Sequence, residues 1–144
     1  MATSSHAQIV RTLYDLLNAG AHDRLGEVIG PSFVAGDGSR GPEAFARVMA
    51  KLRESFPDLV YTIDAIVADG DRVAVHWTWR GTNSSPFRAF PATGKRVVNS
   101  GLAIFQIEAG KITSATMETD RLGFLISIGV ITYDPAYGPP PRTE

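Results

Sequence analysis

The sequence predicts an α+β fold: N-terminal helices packed on one face of a strongly curved antiparallel sheet, with a short helix near the C-terminus. Three observations carry this prediction. Apolar residues in the first third recur at the helical period. After Pro57 the period changes to two. From there Gly-containing turns separate the strands, as in a meander. A strongly bent sheet closed by helices leaves a conical cavity.

Each element has its own signal. Ser5 and Gln8 have capping-box spacing, and Ile9, Val10, Leu13, Leu16 and Leu17 form one helical face that ends at Gly20. Asp23 is a cap for a short second helix with Leu25, Val28 and Ile29, stopped by Gly30-Pro31. Pro42 suits a first helical position, and Phe45, Val48, Met49, Leu52 and Phe56 continue that helix to Pro57. Leu59, Tyr61, Ile63, Ala65 and Val67 then alternate with Val60, Thr62, Asp64 and Ile66 along a first strand. Asp69-Gly70-Asp71 signals a hairpin. The second strand sets Val73, Val75, Trp77 and Trp79 against Ala74, His76, Thr78 and Arg80.

Asn83 to Gly94 is a long connection interrupted by Phe87 and Phe90, the kind that rims a site. A third strand runs from about Arg96 to Glu108, a turn falls at Ala109-Gly110, and a fourth runs from Lys111 to about Thr119. Asp120 caps a last helix with Leu122, Leu125 and Ile126, closed by Gly129. Residues 1–134 are expected to form one domain, and residues 135–144 an extended Pro-rich tail.

Composition excludes several function classes. With 144 residues, a chain can bury roughly two-thirds of its unfolded surface. The net charge is −1 and the basic residues are scattered, so neither nucleic acid nor an anionic membrane is an expected partner. Without cysteine there is no disulfide, thiolate catalysis or cysteine-bound zinc. His6, His22 and His76 lie on separate elements, so no metal site is expected. No secretory signal or membrane span is read, and the expectation is a soluble cytoplasmic domain.

An ordered set of segments then becomes specific. It comprises Phe56-Pro57-Asp58, the run from Gly70 to Thr82, Phe90-Pro91-Ala92-Thr93-Gly94-Lys95, Ala103-Ile104-Phe105, Gly110-Lys111-Ile112 and Asp120-Arg121-Leu122-Gly123. Together they resemble the SnoaL-like polyketide cyclases of the nuclear transport factor 2-like superfamily, from roughly Gln8 to Gly129. The resemblance implies an α+β cone with a deep apolar pocket, usually a homodimer. It implies ring closure of a polyketide ester by intramolecular aldol condensation, with no metal or organic cofactor, on a small apolar molecule. In the family one Asp on the last long strand moves the proton; a carboxylate in apolar surroundings has the raised pKa this task needs.

Aligned without a gap, that Asp falls on Met117, a thioether that moves no proton. A His and Trp common in the family fall on Ala115 and Thr116, a His of the preceding strand on Ala103, and paired glutamines on Ile126-Ser127. Replacements for the acid are open. Glu118 enters the pocket if a bulge turns it; regular pleating turns it out. Asp120 is a catalytic candidate and, equally, a helix cap. Asp37, between two glycines, either swings over the cavity or forms a turn. Tyr14 and Asn18, one turn apart, present a hydroxyl and an amide to a ligand, unless Tyr14 is a core aromatic.

Tyr61 and Asn99 are substrate-binding candidates, Asn99 because it shares a face with Ala103. Trp77, Trp79, Phe90 and Phe105 are candidate pocket walls with Met117 and Ala103. Two functions fit: a cofactor-independent cyclase or isomerase of an apolar polyketide-type carbonyl compound, and a non-catalytic small-molecule binder on the same fold. A related epoxide hydrolase lacks its Asp–Arg–Asp set here.

Overall fold

The computed structural model describes residues 2–137. Helix α1 (Ala2–Asn18) turns Val10, Leu13, Tyr14, Leu16 and Leu17 inward at helical spacing. It begins before the expected capping box, because no Pro or Gly precedes Ser5 to break it; Ser5 lies inside the helix. The second helix is a 3-10 helix, His22–Glu27, preceded by Ala21, so Asp23 sits inside it and caps nothing. Val28 and Ile29 leave that helix to meet the sheet. Helix α2 (Pro42–Ser55) starts on its proline as expected and buries Ala44 and Phe45, while Val48 faces solvent.

The sheet is a meander in the order β1-β2-β3-β4, formed by β1 (Val60–Asp69), β2 (Arg72–Thr82), β3 (Arg96–Glu108) and β4 (Lys111–Thr119). All three pairings are antiparallel. At the Ala109-Gly110 turn both residues have positive φ (49° and 74°), matching the twist of a tight hairpin. Helix α1 lies against β1, and α3 (Arg121–Ser127) against β3. Ile112 of β4 accepts from Gly30 N–H (2.9 Å) and donates to Val28 O (2.8 Å), which ties the segment after the 3-10 helix to the far edge.

Two register shifts bend the sheet, one between Ile63 and Ala65 in β1 and one where Gln106 and Ile107 meet β4, whose Thr113 is the extra residue. The first changes the expected faces. One extra residue in β1 moves Ala65 and Val67 to the outer face, opposite His76 and Ala74, and turns Ile66 inward opposite Val75. Asp64 of the bulge accepts from Thr78 Oγ1 (2.5 Å) and stands 3.7 Å from His76 Nδ1, outside the sheet.

The core fills the inner face. Beyond α3, Pro135–Tyr137 makes one 3-10 turn, and the Pro-rich run from Gly138 lies outside the described residues. Among the described residues no helix is long and apolar enough to cross a membrane.

Candidate functional site

The inner face of the sheet reads as rows running across the strands. One row is Tyr61–Trp79–Asn99; the next is Ile63–Trp77–Gly101–Thr119. Then come Ile66–Val75–Ala103–Met117 and Ala68–Val73–Phe105–Ala115. No residue in these rows is charged. Trp77, Trp79, Ala103 and Phe105 are buried, whereas Met117 is 36% exposed and Thr119 is exposed, so this face opens on the β4 side. Gly101 makes room for Trp77: a Cβ there would run into the indole ring and Glu118 O.

Aromatic rings occupy much of the interior, where an open cone was expected. Phe56, Trp79, Phe87 and Phe124 contact one another with centroids 4.9–6.3 Å apart. A second chain of edge contacts runs from Phe105 through Tyr14 and Tyr61 to Trp77. Burial pushes the hydroxyl pKa of Tyr14 well above its ordinary value, with the neighbouring Tyr61 adding to it; burial does the same to Tyr61. Both stay protonated at neutral pH. Tyr61 points its hydroxyl at Met49 Sδ (3.7 Å).

The structure does not gather the candidate carboxylates into this interior. Regular pairing of β3 with β4 around Leu102 puts Glu118 on the outer face, exposed, with no bulge beside it. Asp120 is the N-cap of α3, accepting from Gly123 N–H (2.8 Å), and its carboxylate rests in the space a Cβ at Gly123 would take. Asp37 closes a turn on Ser39, whose hydroxyl and N–H bond Oδ1 and hold the carboxyl below its usual range. Asn18 is also taken up: its Nδ2 donates to Tyr61 O (2.9 Å) and its Oδ1 accepts from Tyr61 N–H (2.7 Å). It serves β1 as a strand neighbour would, a structural role.

The long connection is built around Asn83. This buried side chain accepts from Thr93 N–H and Oγ1 (3.0 Å each) and donates to Ser85 O (2.9 Å). Phe87 and Phe90 exchange backbone hydrogen bonds of 2.9 Å, and Ser55 Oγ donates to Pro86 O (2.7 Å), seating Phe87 on the aromatic cluster. Sequence reasoning put Phe56 on an apolar helical face and missed Phe124 as part of the interior. Phe124 and Ile128, four apart after the cap, carried the signal: they are buried, while Leu122 is exposed.

A separate small cleft, with a volume of about 10 Å³, opens between α1, α2 and β1, lined by Leu17, His22, Met49, Leu52, Arg53, Leu59 and Tyr61. Desolvation, then the adjacent Arg53, lowers the pKa of His22 there. Among the described residues, no three His, Cys, Asp or Glu side chains gather as a metal site would require.

Comparison with known proteins finds the same helix-backed, curved antiparallel meander. The chain belongs to the SnoaL-like polyketide cyclase family, whose model matches residues 7–127. No curated protein matches it in sequence. Among solved structures it is similar to TsrD from Streptomyces laurentii, with 25% identity, a TM-score of 0.84, and 91% of this chain and 99% of that one covered. A polyketide cyclase candidate from Acidithiobacillus ferrooxidans shares 28% identity at a TM-score of 0.76, covering 89% and 97%. IdmH, a polyketide cyclase candidate from Streptomyces antibioticus, shares 27% at 0.75, covering 87% and 99%.

Proposed function

We propose that this protein is a cytoplasmic, cofactor-independent cyclase or isomerase of an apolar polyketide-type carbonyl compound, with Met117 standing where the family carries its catalytic Asp. Membership of the family supports the reaction class. One observation carries the particular form: the sheet's inner face holds rings, Met117 and neutral polar groups, while Glu118, Asp120 and Asp37 are engaged elsewhere.

Catalysis on this reading comes from shape. A flexible chain held against rigid aromatic walls keeps its nucleophilic and electrophilic carbons in contact, and such positioning is worth up to roughly 7–11 kcal/mol of barrier. In the aldol step the enol carbon bonds to the carbonyl carbon. The enol proton leaves to water, and water returns one to the new alkoxide. The tyrosine hydroxyls hold their protons and so are not the base.

The test is ring closure of the methyl ester of a linear poly-β-ketone, followed by mass spectrometry. The wild type is expected to close the ring faster than buffer, and the double variant Met117→Asp, Ala103→His faster again, by at least tenfold. Saturable binding without closure in the wild type would transfer support to a binding protein on the same cone. That reading is favoured by the apolar Met117–Ala103 pair where acid–base groups are expected.

A further inference from the structure

We propose that Asn99 is a ligand-recognition residue: its Oδ1 accepts a hydrogen bond from a hydroxyl, enol or phenol, of a neutral, largely apolar ligand in the cone. The inference rests on reading the cone as a small-molecule site, and it stands on a mismatch within the chain. Asn99 is 9% exposed, and its Oδ1 is buried with no hydrogen-bond partner, the one such side-chain atom among the described residues. Asn83, the other buried asparagine at 1% exposed, has its amide oxygen and nitrogen both bonded. Native chains rarely leave such an atom unpaired, because the orphan costs about 1–3 kcal/mol that an apolar side chain of similar size avoids.

The position explains what the oxygen is for. Asn99 ends the row Tyr61–Trp79–Asn99, and no β4 residue continues it, because β4 stops at Thr119 opposite Gly101 and Asp120 N–H bonds Ser100 O. The face is therefore open to α3 beyond Asn99. Ala103, opposite the exposed Met117, lies four residues along β3, roughly 13 Å away at about 3.3 Å per residue. Aromatic and small apolar residues fill the span between them. With no charged residue on this face, an anion would meet an uncompensated acceptor, whereas a neutral hydroxyl supplies the missing donor. The oxygen is closed to solvent, so occupancy parts the side chains around it.

The experiment compares wild type with Asn99→Leu, using 2-naphthol and 2-methylnaphthalene as matched probes that differ in the hydroxyl. Without ligand, Asn99→Leu is expected to raise Tm by about 3 °C, since the unpaired amide is gone. Its affinity for 2-naphthol should fall about tenfold while that for 2-methylnaphthalene is unchanged. Asn99→Val, also apolar, gives the same split if the Leu variant does not fold. An equal loss for both probes, or no loss, overturns the assignment of Asn99 and leaves the cone reading intact. A lower Tm in both variants shows an amide already satisfied and also overturns it. If neither probe binds the wild type, the cone reading fails, and this inference with it.

Discussion

At the scale of single residues, side-chain oxygens take over work the backbone cannot finish. Asp58 is the clearest case. It precedes β1 and accepts from Thr82 N–H (2.6 Å) and Thr82 Oγ1 (2.7 Å), closing the open end of the β1–β2 pair. Those two bonds favour the ionised form and hold its carboxyl below the usual range, the Thr82 N–H most of all. Because the folded pKa is depressed, the stabilisation is fully present above the unfolded value of about 3.9 and is lost as pH falls through the lower folded value. The site is exposed, so the effect is modest. Urea unfolding across the acid range checks this. Asp58→Asn should have a lower midpoint than wild type at neutral pH, and the two should converge in strong acid. A gap that stays constant with pH would mean that the charge of Asp58 plays no part.

Among elements, α1 and β1 are joined by ring packing of Tyr14 on Tyr61 and by the hydrogen bonds of one side chain. Asn18 supplies an acceptor and a donor to the main chain of Tyr61 at the sheet edge. Asn18→Ala leaves both backbone groups part-buried and unpaired, a loss of about 2 kcal/mol, or roughly 4–8 °C in Tm. Asn18→Asp keeps the acceptor and should fall between the two, so equal melting of Ala variant and wild type would sink the idea. The elements themselves were legible before any coordinates. The bounds read for the third and fourth strands coincide with β3 and β4, because alternation and Gly turns are local signals. The bulge at Asp64 was hidden, since β1 carries apolar residues on both sides of the shift and either parity looks buried. The site was legible in part. Parity alone put Asn99 on the face of Ala103, but its missing partner depends on where β4 ends and α3 begins. Tyr14 and Asn18 share a helix turn, yet only the packed structure shows one in an aromatic contact and the other on a strand.

On the scale of the whole molecule, the outer face of the sheet is the surface left to explain. Val60, Val67, Leu102 and Ile104 stand on it 50–66% exposed, around a centre where Thr78 is 1% exposed and bonded to Asp64. We propose that a second copy of this chain covers it. Four strands about 4.8 Å apart and about ten residues long span a plane of roughly 600 Å², and side-chain relief brings that near the 800 Å² each partner buries in a stable pair. The chain's net charge of −1 offers little repulsion between copies. The Thr78–Asp64 hydrogen bond is already formed before association and need not be made on pairing. A two-fold pairing also uses each exposed apolar residue twice, as an isologous interface does. Light scattering on the eluted protein should give about twice the 15.5 kDa chain mass. Leu102→Asp places a charge in the middle of that face and should give the monomer with far-ultraviolet circular dichroism unchanged, since the residue contributes nothing to the inner core. A wild type that elutes as a monomer at every concentration would show that this face is not covered by a second copy. A dimer indifferent to Leu102→Asp would put the interface on a different surface.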